Sequence, residues 1–214
     1  MPRSNLSAAA PVVAAVTGFG IPYGVLATAA GFPWWLTVLA SLTVFAGSAQ
    51  FTVVSVLASG ASPASAAITA ALLNTRYLAT GAAAARVLPG GRLRKFVLAQ
   101  LVVDESYALG VGAGSASEPD QRMMTYGGVA LWVGWSAGSL VGALVGDVIG
   151  DPQTLGLDAA FPALFVALLW PMLSGKREMR AALIGALTAL VLTPVAGIGL
   201  ALAGAAVAGL VTYR

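Results

Sequence analysis

Three short stretches place charge-binding groups inside apolar sequence. Gly47-Ser48-Ala49-Gln50 interrupts the run from Val44 to Val54, LLNTRYLATG carries Asn74, Arg76 and Tyr77, and AQLVVDESYALG carries Asp104 and Glu105. A helix starting near Ser48 leaves its first backbone N–H groups unpaired, with a hydroxyl able to cap one and the positive end of the dipole facing into the protein. Such an end takes a carboxylate, and broken membrane helices that hold amino-acid carboxylates use this arrangement. The other reading of the small residues is close helix packing, which leaves Gln50 without a role.

Arg76 has ten or more apolar-rich residues on either side. An arginine so placed costs about 2.5–3.5 kcal/mol on insertion scales and faces a partner or a cavity. On a continuous helix Asn74, Tyr77 and Gly81 share one face, and Thr69, Arg76 and Thr80 another. Asp104 and Glu105 are the expected partners of Arg76, and a continuous helix would put Gln100 and Tyr107 on the face of Asp104. One acid can then pair with Arg76 while the other binds a substrate ammonium or carries a proton. The alternatives are a purely structural ion pair, or acids sitting at the membrane interface. Gly47, Ser48, Gln50, Asn74, Arg76, Tyr77, Asp104 and Glu105 are therefore the candidate substrate-binding residues. With surrounding Val, Leu and Phe they offer an anion site, a cation site and an apolar pocket.

The elements that must position these groups are membrane helices. The chain has 214 residues, is 58% hydrophobic and only 9% charged, with a mean hydropathy of +0.88. A soluble domain carries roughly 25% charged residues. The formal charge of +3 lies in two small clusters, which argues for loop orientation rather than for nucleic-acid binding. There is no cysteine and no histidine, so thiol and imidazole chemistry, disulfides and their metal sites are excluded, and no catalytic residue, cofactor or metal is expected. A two-aspartate protease at Asp147 fits poorly, so the chain reads as no enzyme.

About seven to eight apolar segments alternate with short Gly-, Pro- or charge-bearing connections, all with helical and none with strand periodicity: 10–30, 34–59, 64–88, 96–114, 123–149, 157–173, 181–198 and 200–213. The fold class is thus an all-α polytopic membrane protein, one transmembrane transporter domain over 1–214, with the first segment uncleaved rather than a signal peptide. The basic clusters Arg86, Arg92, Arg94, Lys95 and Lys176, Arg177, Arg180 belong on the cytoplasmic side. Three segments separate them, so one fails to cross. If 34–59 breaks near Gly47 and Ser48 and re-enters, and 157–173 does likewise around Pro162, then both clusters, Arg3 and Arg214 fall inside and the acidic SASEPDQ loop outside. A shift of 114 residues aligns Gly20, Gly24, Leu26, Ala46, Ala49, Phe51 and Leu73 with Gly134, Gly138, Leu140, Ala160, Ala163, Phe165 and Leu187, suggesting an inverted repeat with halves of about 10–114 and 123–214 and one broken helix per half. The rival is seven or eight plain crossings. Trp34, Trp35 and Tyr213 suit interfacial anchors, Asp147 and Asp151 a solvated turn, Asp158 a pathway mouth, and the ladder Gly134, Gly138, Gly142, Gly146 close packing.

FAGSAQF, LLNTRYLATG, DESYALG and LDAAFPALFVALLWP, in that order from about Gly18 to Pro171, resemble the AzlC family of branched-chain amino-acid exporters. The resemblance implies export of leucine, isoleucine, valine and often methionine across the bacterial inner membrane, together with a small hydrophobic AzlD-type partner. A passive channel or a structural subunit of a membrane complex is the alternative.

Overall fold

The computed structural model describes residues 6–115, 118–149, 166, 173 and 175–213, and all regular structure among them is helical. A single 3-10 turn (Leu6–Ala9) leads into α1 (Ala10–Ala29), and then follow α2 (Trp34–Thr43), α3 (Gly47–Ala58), α4 (Pro63–Asn74), α5 (Tyr77–Ala84), α6 (Arg92–Ala99), α7 (Asp104–Ala113), α8 (Gln121–Ile149) and α9 (Lys176–Tyr213). Three described stretches are long and apolar enough to cross a membrane, Ala10–Ala29, Gln121–Gly146 and Lys176–Ala196. A fourth exists if α6 and α7, whose axes turn by 107° across their gap, form one broken span.

The segment over 34–59 is broken just before Gly47, close to where it was expected to be, and those expected over 64–88 and 96–114 are not continuous helices either. Each is two short helices with a gap, at 44–46, 75–76 and 100–103. The face assignments that assumed continuity fail with them. Gln100 ends α6 and Asp104 begins α7, and Asn74 and Arg76 fall on either side of the end of α4. The expected segment 157–173 lies, apart from Val166 and Leu173, outside the described residues, as do Arg3, Asp151 and Asp158.

The chain divides into two compact units, residues 1–51 with 73–150 and residues 52–72 with 151–214. The first is organised by α8. Along its length runs the glycine ladder, and α1 lies directly on it. A Cβ added at Gly138 would meet the Thr17 carbonyl and Gly20 Cα, one at Gly142 the Ile21 carbonyl, and one at Gly146 Thr28 and Val25. From the other side, Gly20 faces Trp135, Gly138 and Ser139, and Gly24 faces Ser139, Gly142 and Ala143. Backbones approach this closely only where side chains are absent, the way small residues let membrane helices associate without a hydrophobic driving force.

The contacts advance together, Thr17 with Gly138, Ile21 with Gly142 and Val25 with Gly146, so α1 and α8 run parallel. These are the two helices that the 114-residue shift superimposes, and an inverted pair would run antiparallel. That shift does not describe an inverted repeat. Parallel packing also puts the start of α1 at the same end as the start of α8.

α7 packs on the first turns of α8 in the opposite sense, with Gly110 against Met124 and Asp120, Gly127 against Leu109, and Gly128 against the Leu101 carbonyl. The unwound backbone between α6 and α7 thus rests where α8 has no Cβ. Ala84, Leu88 and Met124 form a small core there with Val87, Leu98, Val102 and Tyr107 packed against it.

In the second unit α9 folds back on itself. Gly185 lies against the carbonyl of Ala205, Gly209 against that of Ala181, and Gly204 against Leu192 and Thr188. At about 1.5 Å per residue a straight helix would hold Ala181 and Gly209 roughly 42 Å apart, so the chain reverses between Leu192 and Gly204. Pro194, which cannot donate its backbone N–H, weakens the helix at that point. The two expected segments 181–198 and 200–213 correspond to these arms.

Candidate functional site

The gap between α2 and α3 frees backbone groups in an apolar setting, where each must find a partner. Trp132 Nε1 donates to the Leu42 carbonyl at 3.0 Å, and the Ala46 N–H donates to Gln50 Oε1 at 3.2 Å. The turn itself needs Phe45 at φ 41°, a left-handed conformation that non-glycine residues adopt at a cost of order 1–3 kcal/mol and hold only when their surroundings enforce it. Phe45 and Ala46 are both buried.

Gln50 is the residue that does the enforcing. Its Oε1 also accepts from Trp135 Nε1 at 3.0 Å, and its Nε2 donates to Ser41 Oγ at 3.2 Å. Two obligate donors converging on one amide atom identify that atom as the oxygen. Ser41 in turn donates to Ser139 at 2.8 Å, and Ser139 to the Trp135 carbonyl. Tyr23, Phe51 and Trp135 surround the amide as an aromatic trio, Tyr23 stacked on Trp135 at 5.5 Å and Phe51 edge-on to both at 5.6 and 6.0 Å. The Trp135 ring lies against Gly47, whose missing Cβ would meet it at 3.0 Å. Gln50 and Gly47 thus brace the break.

Ser48, one residue into α3, faces a different group. Arg76 Nη2 donates to its Oγ at 2.6 Å and to the Tyr77 hydroxyl at 3.2 Å, while Nη1 forms an ion pair with Asp104 Oδ2 at 3.1 Å. The guanidinium carbon stands 4.9 Å from the Tyr77 ring centroid. Arg76 is the N-cap residue of α5 and Asp104 the first residue of α7, so one guanidinium gathers the starts of α3, α5 and α7. Three positive helix ends and an arginine meet in one place, with Asp104 and Glu105 in the first turn of α7 as compensating charge.

That turn is fixed by Ser106, which accepts from the Val103 N–H at 2.9 Å and donates to the Leu101 carbonyl at 2.8 Å. Val103 has no side-chain acceptor, so only this half of a capping box exists. The Arg76 and Asp104 side chains are 43% and 42% exposed, whereas Gln50, Ser41 and Ser139 are buried. Among the described residues Arg76–Asp104 is the ion pair present, and Glu105 has no cation within that reach. Asn74, the last residue of α4, holds an enclosed Oδ1 without a hydrogen-bond partner. No group of three or more metal-ligating side chains occurs among the described residues.

The structure therefore joins Ser48, Arg76, Tyr77 and Asp104 directly, seats Asn74 and Glu105 beside two of them in the chain, and sets Gly47 and Gln50 in the support behind. Sequence reasoning overlooked Ser41, Trp132, Trp135 and Ser139. A signal was available for Trp135, a tryptophan in the middle of an apolar helix rather than in the interfacial belt where that residue usually sits.

The model of the AzlC protein family matches residues 11–149, which include every one of these groups. The chain is 32% identical, over 97% of its own length and 94% of the other, to a protein of Archaeoglobus fulgidus described as an uncharacterized membrane protein. It is 26% identical to the branched-chain amino acid transport protein AzlC of Bacillus subtilis, over 86% of this chain and 72% of that protein. No solved structure matches. Spanning helices, a family model covering well over half the sequence and a near full-length relative agree, and this chain is a multi-pass membrane protein belonging to the AzlC family.

Proposed function

We propose that the chain is a secondary transporter of amino acids, exporting leucine, isoleucine, valine and methionine across the inner membrane together with a small hydrophobic AzlD-type subunit. One observation carries this reading: a half-exposed arginine shared by Ser48 and Asp104 where three helices begin. The name of the Bacillus subtilis relative, a branched-chain amino acid transport protein, supports the substrate class.

The substrate carboxylate takes the place of Asp104 or Ser48 on Arg76, aided by the N–H groups at the start of α3. Glu105 and the Asn74 Oδ1 receive the ammonium. The cluster holds one positive and two negative side chains, so a zwitterion's cation finds a carboxylate that Arg76 has not already neutralised. Gly47 and Gln50 act as positioning residues, holding α3 at its angle without touching substrate.

The test is counterflow. Vesicles preloaded with unlabelled leucine should accumulate labelled leucine transiently, and Arg76→Ala should abolish the overshoot. Leucine amide, lacking the carboxylate, should compete poorly while methionine competes well. Equal competition by the amide would overturn the anion site. Equilibration without overshoot, with and without the small subunit, would instead indicate a passive pore.

A further inference from the structure

α6 has no buried residue. Leu93, Phe96 and Val97, spaced i, i+3, i+4, form one stripe on it and are 79%, 67% and 58% exposed. Its other side faces the protein, with Leu98 packed on the Ala84, Leu88 and Met124 core and Lys95 Nζ donating to the Ala85 carbonyl at 2.8 Å. Arg92 and Arg94 flank the outward stripe, and all three of Arg86, Arg92 and Arg94 are exposed. None of the three has an ion-pair partner among the described residues, and the sequence from 77 to 103 contains no acid.

An apolar stripe edged by unpaired arginines, on a helix turned by 107° from the next, has the composition of an element lying in a membrane interface. We propose that α6 seats an anionic phospholipid, its acyl chains along Leu93, Phe96 and Val97 and its phosphate on the guanidiniums of Arg86, Arg92 and Arg94. Guanidinium matches phosphate with paired donors, and the long arginine stems cover apolar surface while their heads reach the headgroups. A soluble acidic partner would meet the charges but leave the stripe uncovered. Lys95 ties α6 to the residue that follows α5, and four residues join α6 to Asp104.

The purified protein is tested in mixed micelles doped with phosphatidylglycerol or phosphatidylcholine, and retained lipid is counted by native mass spectrometry. Wild type should keep phosphatidylglycerol in preference. Arg92→Gln with Arg94→Gln should reduce that preference roughly 30-fold, the factor expected for two basic residues near an anionic surface. Excess inorganic phosphate should not displace the lipid. An unchanged preference in the variant, no preference in wild type, or displacement by phosphate would each overturn the proposal. A second measurement does not depend on the variant's folding: a spin label on Leu93→Cys, in a chain without native cysteine, should report headgroup depth in phosphatidylglycerol vesicles. Depth at the bilayer centre or full water exposure would overturn it equally.

Discussion

Gly142 on α8 and Gly47 at the start of α3 both stand where an apolar helix would carry a larger side chain. Gly142 is pressed on the backbone of Ile21. Gly47 is pressed on the Trp135 ring, and one residue later Ser48 meets Arg76. The seam closes backbone on backbone. The break holds two regions with opposite fates, a sealed one in which Gln50, Ser41 and Ser139 satisfy one another, and an open one in which Arg76 and Asp104 stay half exposed. Small residues in a membrane helix therefore do not identify a site. What marks one is polar groups left partly accessible beside small residues, while a sealed network behind them keeps the break in shape.

The largest effect should come from the seam. Gly142→Leu forces a side chain into backbone that cannot move without separating α1 from α8, at about 3 kcal/mol or more. Folded protein recovered by size exclusion in detergent should fall close to zero. Good recovery would show that the seam opens easily and that the comparison is overstated.

Arg76→Ala is next, and it separates site from scaffold. Transport should vanish, and the uncompensated acids should lower stability, by less than a fully buried pair would because both side chains are over two-fifths exposed. Adding Asp104→Asn should recover folded protein and not transport. Recovery of both would make the pair purely structural, and recovery of neither would deny it.

Gln50→Ala leaves the Ala46 N–H and the Trp135 Nε1–H without their acceptor, a loss of about 1–3 kcal/mol in thermal unfolding. If transport by the remaining folded fraction is normal, the bracing role stands. If affinity for leucine falls at unchanged stability, Gln50 touches substrate. Ser48→Ala removes one acceptor from Arg76 and should weaken transport only by about 1 kcal/mol, because the backbone donors of α3 remain. The smallest change is expected at Gly81, where a Cβ meets nothing within 4 Å. Gly81→Ala should shift stability by at most about 1 kcal/mol, in the favourable direction.

The membrane class, the helical content and the residues gathered round Arg76 could be read from the sequence, because an arginine or a carboxylate in apolar surroundings has few places to go. From sequence, Asp104 and Glu105 are equally eligible partners of Arg76. Asp104 is the one that bonds, since the gap before α7 aims the first residue of that helix at the guanidinium. The gaps at 75–76 and 100–103 were not legible. LNTRYL and QLVVDE contain no glycine or proline, and their breaks are held by partners on other helices, Ser48 and Asp104 on Arg76 and Gly128 beneath Leu101. Nor was the direction of α8 relative to α1, because glycine spacing fixes how near two helices come and not which way they run.

That shared direction constrains how the chain is threaded. If α1 and α8 both cross the bilayer, the ends at Ala29 and Ile149 emerge on one face and the ends at Ala10 and Gln121 on the other. Between Ala30 and Asp120 the chain must then change sides an odd number of times. Three interrupted pairs occupy that interval, so either all three cross or one does and two dip back to the face they left. These patterns assign the connection at Gly60 and the basic loop at Gly91 differently. With all three crossing, Gly60 lies with the start of α8 and Gly91 with its end. Single cysteines at those two glycines and at Glu118, before α8, exposed to an impermeant reagent, would give the winding of the chain between α1 and α8.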